Sequence, residues 1–116
     1  MEQELIVCIV NSGFADAVMD AARTAGARGG TIINGRGAAR AEAEKKYSVS
    51  IHQDKDIVLI VSQVSLKESL LHHLYNAIGL NTDAQGFIFA VPVDDVVGFK
   101  NGHEEHQDLS DADEDE

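Results

Sequence analysis

The sequence has 116 residues, which is enough for one hydrophobic core but not for two. Its formal net charge of −11 arises from 20 acidic and 9 basic residues, and neither terminus carries a block of lysine and arginine. This composition excludes a nucleic-acid-binding protein of the electrostatic kind. No apolar run approaches the roughly 20 residues of a membrane span, and the acidic start does not resemble a signal peptide, so we expect a cytoplasmic protein.

The acidic charge is concentrated at the carboxyl terminus. Eight of the 20 acidic residues lie between positions 104 and 116, and residues 1–103 carry a net charge of about −3, which is ordinary for a soluble domain. We therefore expect one folded domain at residues 1–100, followed by an acidic, flexible tail at residues 101–116. Such a tail keeps the protein soluble or shields basic residues of a neighbouring copy.

The first predicted unit is a strand followed by a helix. Residues 5–10 are six consecutive apolar residues, LIVCIV, which indicates a strand buried on both faces. Cys8 lies within this run, so we interpret the single cysteine as a small buried hydrophobic residue. Apolar residues then recur at helical spacing over residues 14–25, with Ser12 as the expected N-cap and Gly26 as the stop.

A second strand and a long polar segment follow. Residues 31–34 predict a strand, which Gly35, Arg36 and Gly37 are expected to end. The polar residues from there to Gln53 predict a projecting loop, and a loop of this length in so small a domain is usually functional or disordered.

The pattern of strand and helix is then repeated. Residues 57–61 predict another apolar strand, and Ser65 and Glu68 form a predicted capping box for a second helix that ends at Gly79. Residues 87–91 predict a fourth strand, which Pro92 is expected to end. Two such units predict an α+β, ferredoxin-like βαββαβ fold, in which two helices cover one face of a four-stranded antiparallel sheet.

The predicted sheet has one more apolar face than the helices can cover. The first, third and fourth strands are apolar on both faces, although two helices cover only one. Because a large exposed apolar area marks an interface, the sequence predicts a homo-oligomer in which further copies bury the second face.

No group of residues in the sequence predicts catalysis. None of the five histidines has a carboxylate at a sequence spacing that would orient its ring for catalysis. His72 and His73 are adjacent and therefore point to different sides of one helix. His103 and His106 have the spacing of metal ligands, but no third ligand accompanies them on a rigid element, so we expect a flexible acidic tail there. We therefore expect a protein that is not an enzyme and holds no metal.

Glycines are the most informative candidates for a binding site. They cluster where the two predicted units meet, at residues 29–30, 35–37 and 86. Glycine lets a backbone approach a phosphate closely or turn tightly, and Arg36 or Lys100 offers the positive charge that a phosphate needs. The pattern alone leaves two interpretations open, a phosphate site or turns and helix stops only.

These glycines belong to segments that resemble the PII superfamily of signal-transduction proteins, in one of its PII-like branches. The segments are GARGGTIINGRG at residues 26–37, LNTDAQGFIF at residues 80–89 and PVDDVV at residues 92–97, and the similarity covers about residues 3–100. The resemblance implies a ferredoxin-like subunit in a compact homotrimer with sheets facing inward, and adenine nucleotide in the clefts between subunits. It also implies that residues 36–53 form the T-loop, whose conformation reports the bound nucleotide to a partner protein.

Carried over residue by residue, the resemblance implies a nucleotide-binding site. Gly29 and Thr31 match residues that contact the adenine. The residues that match the T-loop base are Gly35, Arg36, Gly37 and Ala38. The phosphate-cradling B-loop corresponds to Gln85, Gly86 and Phe87, and a basic C-terminal position corresponds to Lys100. Phe87 stands where nitrogen-sensing members have a B-loop lysine, and Gly98 stands where they have an arginine. Because two cationic phosphate ligands are missing, we predict that ADP or AMP binds at least as tightly as ATP.

The expected function is that of a regulatory protein. It binds ADP, AMP or ATP as a ligand and signals energy state through its T-loop to a transporter or metabolic enzyme. The T-loop is shorter than in nitrogen-sensing members and its only tyrosine, Tyr47, lies toward its far end. The resemblance therefore does not carry over uridylylation or 2-oxoglutarate binding.

Two alternatives stay open. A PII-like sensor of bicarbonate or cyclic AMP in inorganic carbon uptake shares the fold and the cleft. A small ferredoxin-like hydrolase of acyl phosphates is the enzymatic alternative, but residues 11–14, NSGF, are uncharged and lack the arginine and asparagine pair that it needs.

Overall fold

The predicted strands and helices are present in the computed structural model, which describes residues 2–38 and 52–98. In chain order, the elements are β1 (Gln3–Asn11), α1 (Ala15–Thr24), β2 (Thr31–Ala38), β3 (His52–Gln63), a 3₁₀ turn (Val64–Leu66), α2 (Lys67–Ile78) and β4 (Phe87–Val93). Neighbouring strands are antiparallel and follow the order β2–β3–β1–β4. The four-stranded antiparallel sheet with two helices is therefore confirmed.

One face of the sheet packs against both helices and forms the core. Successive side chains of a strand point to opposite faces, so alternate residues of β1 and β3 face the helices. These strand residues are fully buried, and they are Ile6, Cys8, Val10, Val58 and Ile60. Their partners from the helices are Val18, Met19, Ala22, Leu70, Leu74 and Ile78. Burial raises the pKa of the Cys8 thiol to about 12, because the thiolate is poorly solvated in this core.

The other face of the sheet, called the open face here, is also apolar. It consists of Ile33, Ile57, Leu59, Val61, Leu5, Val7, Ile9, Phe87, Phe89 and Val91, which the strand register places in rows across the sheet. Ile33 is 43% exposed, Phe87 57%, Phe89 38% and Val91 40%. No helix in the described part of the chain covers this face, so the predicted second apolar face is confirmed.

The predicted helix caps are wrong, whereas the predicted end of α1 is confirmed. The N-cap residues are Phe14 and Leu66, and neither makes a side-chain capping bond. Ser65 lies inside the 3₁₀ turn that leads into α2, and its hydroxyl donates to Gln63 Oε1 over 3.3 Å, so the capping box does not form. Gly26 follows α1 with a φ of +109°.

The backbone at Gly26 makes the two hydrogen bonds of a Schellman motif. Its N–H donates to the carbonyl oxygen of Arg23 over 3.0 Å, and the N–H of Ala27 donates to that of Ala22 over 2.9 Å. Only glycine adopts this left-handed conformation without strain, and it turns the chain back toward β2.

All four strands extend further than predicted, since β1 covers Gln3–Asn11 and β3 covers His52–Gln63. Pro92 lies within β4, which continues to Val93. β4 is an edge strand, where a residue without an N–H is tolerated because one side of the strand has no neighbour. β2 continues through Gly35, Arg36 and Gly37 to Ala38, because the early residues of β3 provide a partner for each of them.

Candidate ligand-binding site

Nine of the ten predicted site residues lie in the described part of the chain, and Lys100 lies outside it. Gly29 precedes β2, which contains Thr31, Gly35, Arg36, Gly37 and Ala38, whereas Gln85 and Gly86 precede β4, which Phe87 begins. β2 and β4 are opposite edges of the sheet. With strands about 4.8 Å apart, the two groups lie roughly 14 Å from each other across the sheet.

The predicted T-loop base belongs to the β2–β3 ladder. Gly35 is paired with Lys55, Arg36 with Asp54 and Gly37 with Gln53. A Cβ added to Gly35 would lie 3.0 Å from Ile57 Cδ1, and one added to Gly37 would lie 3.3 Å from Lys55 Cε. The glycine pattern left a phosphate site or turns open as interpretations, and in the structure Gly35 and Gly37 lie within β2 and pack closely against β3.

The segment before β4 is a compact loop tied to the end of α2. The Gly86 N–H donates to the Ile78 carbonyl oxygen over 2.6 Å, and the Gln85 N–H donates to that of Thr82 over 3.0 Å. A Cβ at Gly86 would collide with the Ile78 carbonyl oxygen, so this position needs glycine. Both amides are thus already bonded within the loop, and in this conformation they are not free to bind an anion.

Phe87 lies on the open face and not in the loop. Its backbone pairs with Ile9, and its ring lies 5.7 Å from the ring of Phe89. The ring therefore extends the apolar face at the point where the resemblance had indicated a replaced phosphate ligand.

A hydrogen-bonded network that sequence reasoning missed joins β1, β3 and the loop before β4. Lys55 Nζ donates to Asn11 Oδ1 over 2.8 Å, and Asn11 Nδ2 donates to the Asp83 carbonyl oxygen over 3.0 Å. The Asn11 N–H donates to the Ala84 carbonyl oxygen over 2.9 Å. Asn11 thus connects the Lys55 ammonium to the loop on its other side.

Asp56 organises the neighbouring turn between β1 and α1. Although its side chain is buried, its carboxylate accepts from the Gly13 N–H over 3.0 Å and from Asn34 Nδ2 over 3.2 Å. These bonds satisfy the buried carboxylate and hold the turn against β2 and β3. The Ser12 N–H donates to the Asp54 carbonyl oxygen over 3.1 Å, which fixes the same turn, and Phe14 rather than Ser12 is the N-cap of α1.

The predicted residues occupy opposite ends of the sheet as well as opposite edges. The pairings place Gly35, Lys55 and Asn11 in one row, at the end where the loop before β4 also lies. Thr31 pairs with Leu59, four residues back along β2 and therefore roughly 13 Å from Gly35. Gly29 and Thr31 are consequently separate from the other predicted ligand residues within one chain.

The two histidines of α2 form hydrogen bonds within that helix. His72 Nε2 is hydrogen-bonded to Asn76 Nδ2 over 3.2 Å, and His73 Nδ1 to the Ser69 carbonyl oxygen over 2.9 Å. Within residues 2–38 and 52–98, no three histidine, cysteine or acidic side chains are grouped to hold a metal ion, and no helix is long and apolar enough to cross a membrane. His103 and His106 lie outside the described residues.

Comparisons with known proteins matched one family model and several solved structures. A family model described as nitrogen regulatory protein P-II matches residues 3–103. A search of curated proteins gave no match. Arabidopsis thaliana PII bound to citrate is 23% identical with a TM-score of 0.60, and the match covers 82% of this chain and 78% of that one. The ATP complex of B. subtilis GlnK is 12% identical with a TM-score of 0.64, covering 79% of this chain and 82% of that one.

Proposed function

The chain belongs to the nitrogen regulatory protein P-II family, and we propose that it binds an adenine nucleotide between the subunits of a homotrimer and signals to a transporter or metabolic enzyme. The signal passes through the T-loop, residues 36–53. The family membership makes the chain a regulatory protein. The nucleotide, the trimer and the partner are the parts that we propose.

The separation of the predicted ligand residues is the observation that carries this proposal. Gly29 and Thr31 lie at one end of an edge strand, and Gly35 to Ala38 lie at the other, with Gln85 and Gly86 across the sheet. A single adenine or phosphate group is much shorter than these separations. A ligand that contacts both groups is therefore held most simply in a cleft between two copies of the chain.

The open face supports the proposed trimer. Three rows of apolar side chains cross the sheet on this face, and exposed apolar patches of this kind mark protein interfaces. Burial against further copies removes them from water. Light scattering at micromolar concentration is expected to give the mass of a trimer, and a monomer would contradict the proposal.

The ladder between β2 and β3 supports the T-loop assignment. Ala38 pairs with His52 and Gly37 with Gln53, so the intervening segment leaves and re-enters the sheet at the same place. Such a segment is anchored at both ends close to the proposed ligand. A conformational change around the bound nucleotide is thereby transmitted to the T-loop residues that contact a partner protein.

A thermal-shift panel with ATP, ADP, AMP, cyclic AMP and bicarbonate tests the proposed ligand. A ligand that binds the folded state raises the unfolding temperature, and we expect this from the adenine nucleotides. Stabilisation by bicarbonate or cyclic AMP, without any by ADP, AMP or ATP, would favour the alternative role in inorganic carbon uptake. Turnover of acyl phosphate or ATP above that of buffer would contradict a purely regulatory role.

Calorimetry then tests the nucleotide preference. We expect ADP or AMP to bind at least as tightly as ATP, because Phe87 and Gly98 stand where nitrogen-sensing members carry cations. Each charge-assisted contact contributes about 1.5 to 3 kcal/mol, and the last phosphate depends on these contacts most. A tenfold preference for ATP would contradict this prediction.

A further inference from the structure

Lys55 lies between the two edges that carry the predicted phosphate-binding residues. On β3, it is paired with Gly35 of β2 on one side and with Asn11 of β1 on the other. Its row is at the end of the sheet where the loop before β4 lies. Neither the glycine pattern nor the family resemblance assigned Lys55 to the site.

The side chain of Lys55 is fixed at both its stem and its ammonium group. The missing side chain at Gly37 leaves room for the stem, since a Cβ there would lie 3.3 Å from Lys55 Cε. The ammonium donates to Asn11 Oδ1 over 2.8 Å, and Asn11 is itself held by the Asp83 carbonyl oxygen. The cation is therefore held at the proposed site before any ligand arrives, which lowers the entropy cost of binding.

The charge of this ammonium is not neutralised within residues 2–38 and 52–98. The ion pairs there join Arg23 to Asp20 and Lys67 to Glu4, and neither involves Lys55. Lys55 is only partly exposed, and a lysine ammonium has three N–H donors, of which Asn11 takes one. Two donors on a partly desolvated cation are well suited to the oxygens of an anion.

We infer that Lys55 binds phosphate oxygens of the nucleotide and supplies a cation that Phe87 and Gly98 do not. This inference rests on the proposed function, since it names a further ligand residue of the same site. Asn11 acts as a positioning residue, because it holds the ammonium at the loop before β4. The group that Lys55 binds is the phosphate chain of the nucleotide, with the base contacted elsewhere.

Calorimetry on the full chain tests this role with Lys55→Met, Lys55→Arg and Lys67→Met. Methionine keeps the stem that packs at Gly37 and removes the charge, whereas arginine keeps a charge. Lys67→Met is the matched control, because Lys67 begins α2 and contacts Glu4 at the opposite end of β1. ADP and inorganic pyrophosphate are titrated separately, each at low and high salt. Circular dichroism and light scattering verify that all variants keep the fold and mass of the wild type.

We expect Lys55→Met to weaken the binding of ADP and pyrophosphate about tenfold to a hundredfold, and to flatten the salt dependence of both. Lys67→Met is expected to bind as the wild type does, and Lys55→Arg to retain salt-dependent binding. If Lys55→Met and Lys67→Met bind ADP equally well, the inference is wrong and the proposed function stands. Binding of pyrophosphate that depends on Lys55, without binding of any adenine nucleotide, would support Lys55 as a phosphate ligand but contradict both the nucleotide in this inference and the proposed function. A wild type that binds neither ligand would overturn both.

Discussion

The helix-covered face and the open face of the sheet are built from the same kinds of residue, yet in the described part of the chain the helices cover only the first. On β3, Val58 and Ile60 point to the helices and are fully buried, whereas Leu59 and Val61 point to the open face and remain partly exposed. Successive side chains of one apolar strand thus supply both faces of the sheet. The comparison teaches that a local pattern specifies the strand, while its surroundings decide whether each side is buried in the chain's own core.

A charge on the helix-covered face is expected to have the largest effect. Val58→Asp places a carboxylate among fully buried apolar side chains. The lost packing and the desolvated charge cost several kcal/mol together, which is comparable to the roughly 5–15 kcal/mol that stabilises a domain. We expect the variant to lose its helical circular dichroism and cooperative thermal unfolding. Cooperative unfolding near the wild-type temperature would mean that this face is not the core.

The same substitution one residue further along β3 tests the open face. Leu59→Asp puts a carboxylate where the proposed trimer buries apolar side chains, but the chain's own core is left unchanged. We expect circular dichroism to show a folded protein and light scattering to show a monomer, because repeated unpaired charges disfavour the interface. Tyr75→Asp, at an exposed position of α2, is the control and is expected to keep the trimer mass. An unchanged mass for Leu59→Asp would exclude the open face as the interface.

The smallest effect concerns Cys8, which lies on the helix-covered face. Its pKa is raised from 9.0 to about 12 by burial, so the unfolded chain releases the thiol proton at a lower pH than the folded chain. The corresponding stability is fully present below pH 9.0 and is lost as the pH rises toward about 12. Relative to Cys8→Ala, we expect the wild type to lose about 1.4 kcal/mol of unfolding free energy per pH unit in this window. Urea unfolding of both proteins at several pH values measures this slope, and parallel slopes would contradict the prediction.

The sequence was sufficient to predict the apolar centres of the strands and helices, because these are local signals. Residues 5–10 and 57–61 each form a continuous apolar run, and both lie within strands. The ends of the strands could not be predicted in the same way. β2 continues to Ala38 because β3 begins early enough to pair with it, and pairing with a distant segment leaves no local pattern. Pro92 was misinterpreted for a related reason, since its tolerance depends on β4 being an edge strand.

The candidate site was predictable only in part. The glycines of β2 and Gly86 were visible as a cluster, although the structure uses them for close packing. Lys55 and Asn11 were missed because polar residues at the ends of apolar runs look like solvated strand ends. Their contact joins residues 44 positions apart. A useful signal was available, since the end of one antiparallel strand faces the start of its neighbour and polar residues at both places meet.

The β2–β3 ladder continues beyond the end of β1. Asn11 is the last residue of β1 and pairs with Lys55, whereas Arg36, Gly37 and Ala38 pair with β3 alone. These residues form a two-stranded ribbon about 10 Å long, and such ribbons twist more readily than wider sheets. The ribbon is therefore free to rotate as a unit about the row of Gly35 and Lys55. A rotation of about ten degrees about this row displaces Ala38 sideways by roughly 2 Å.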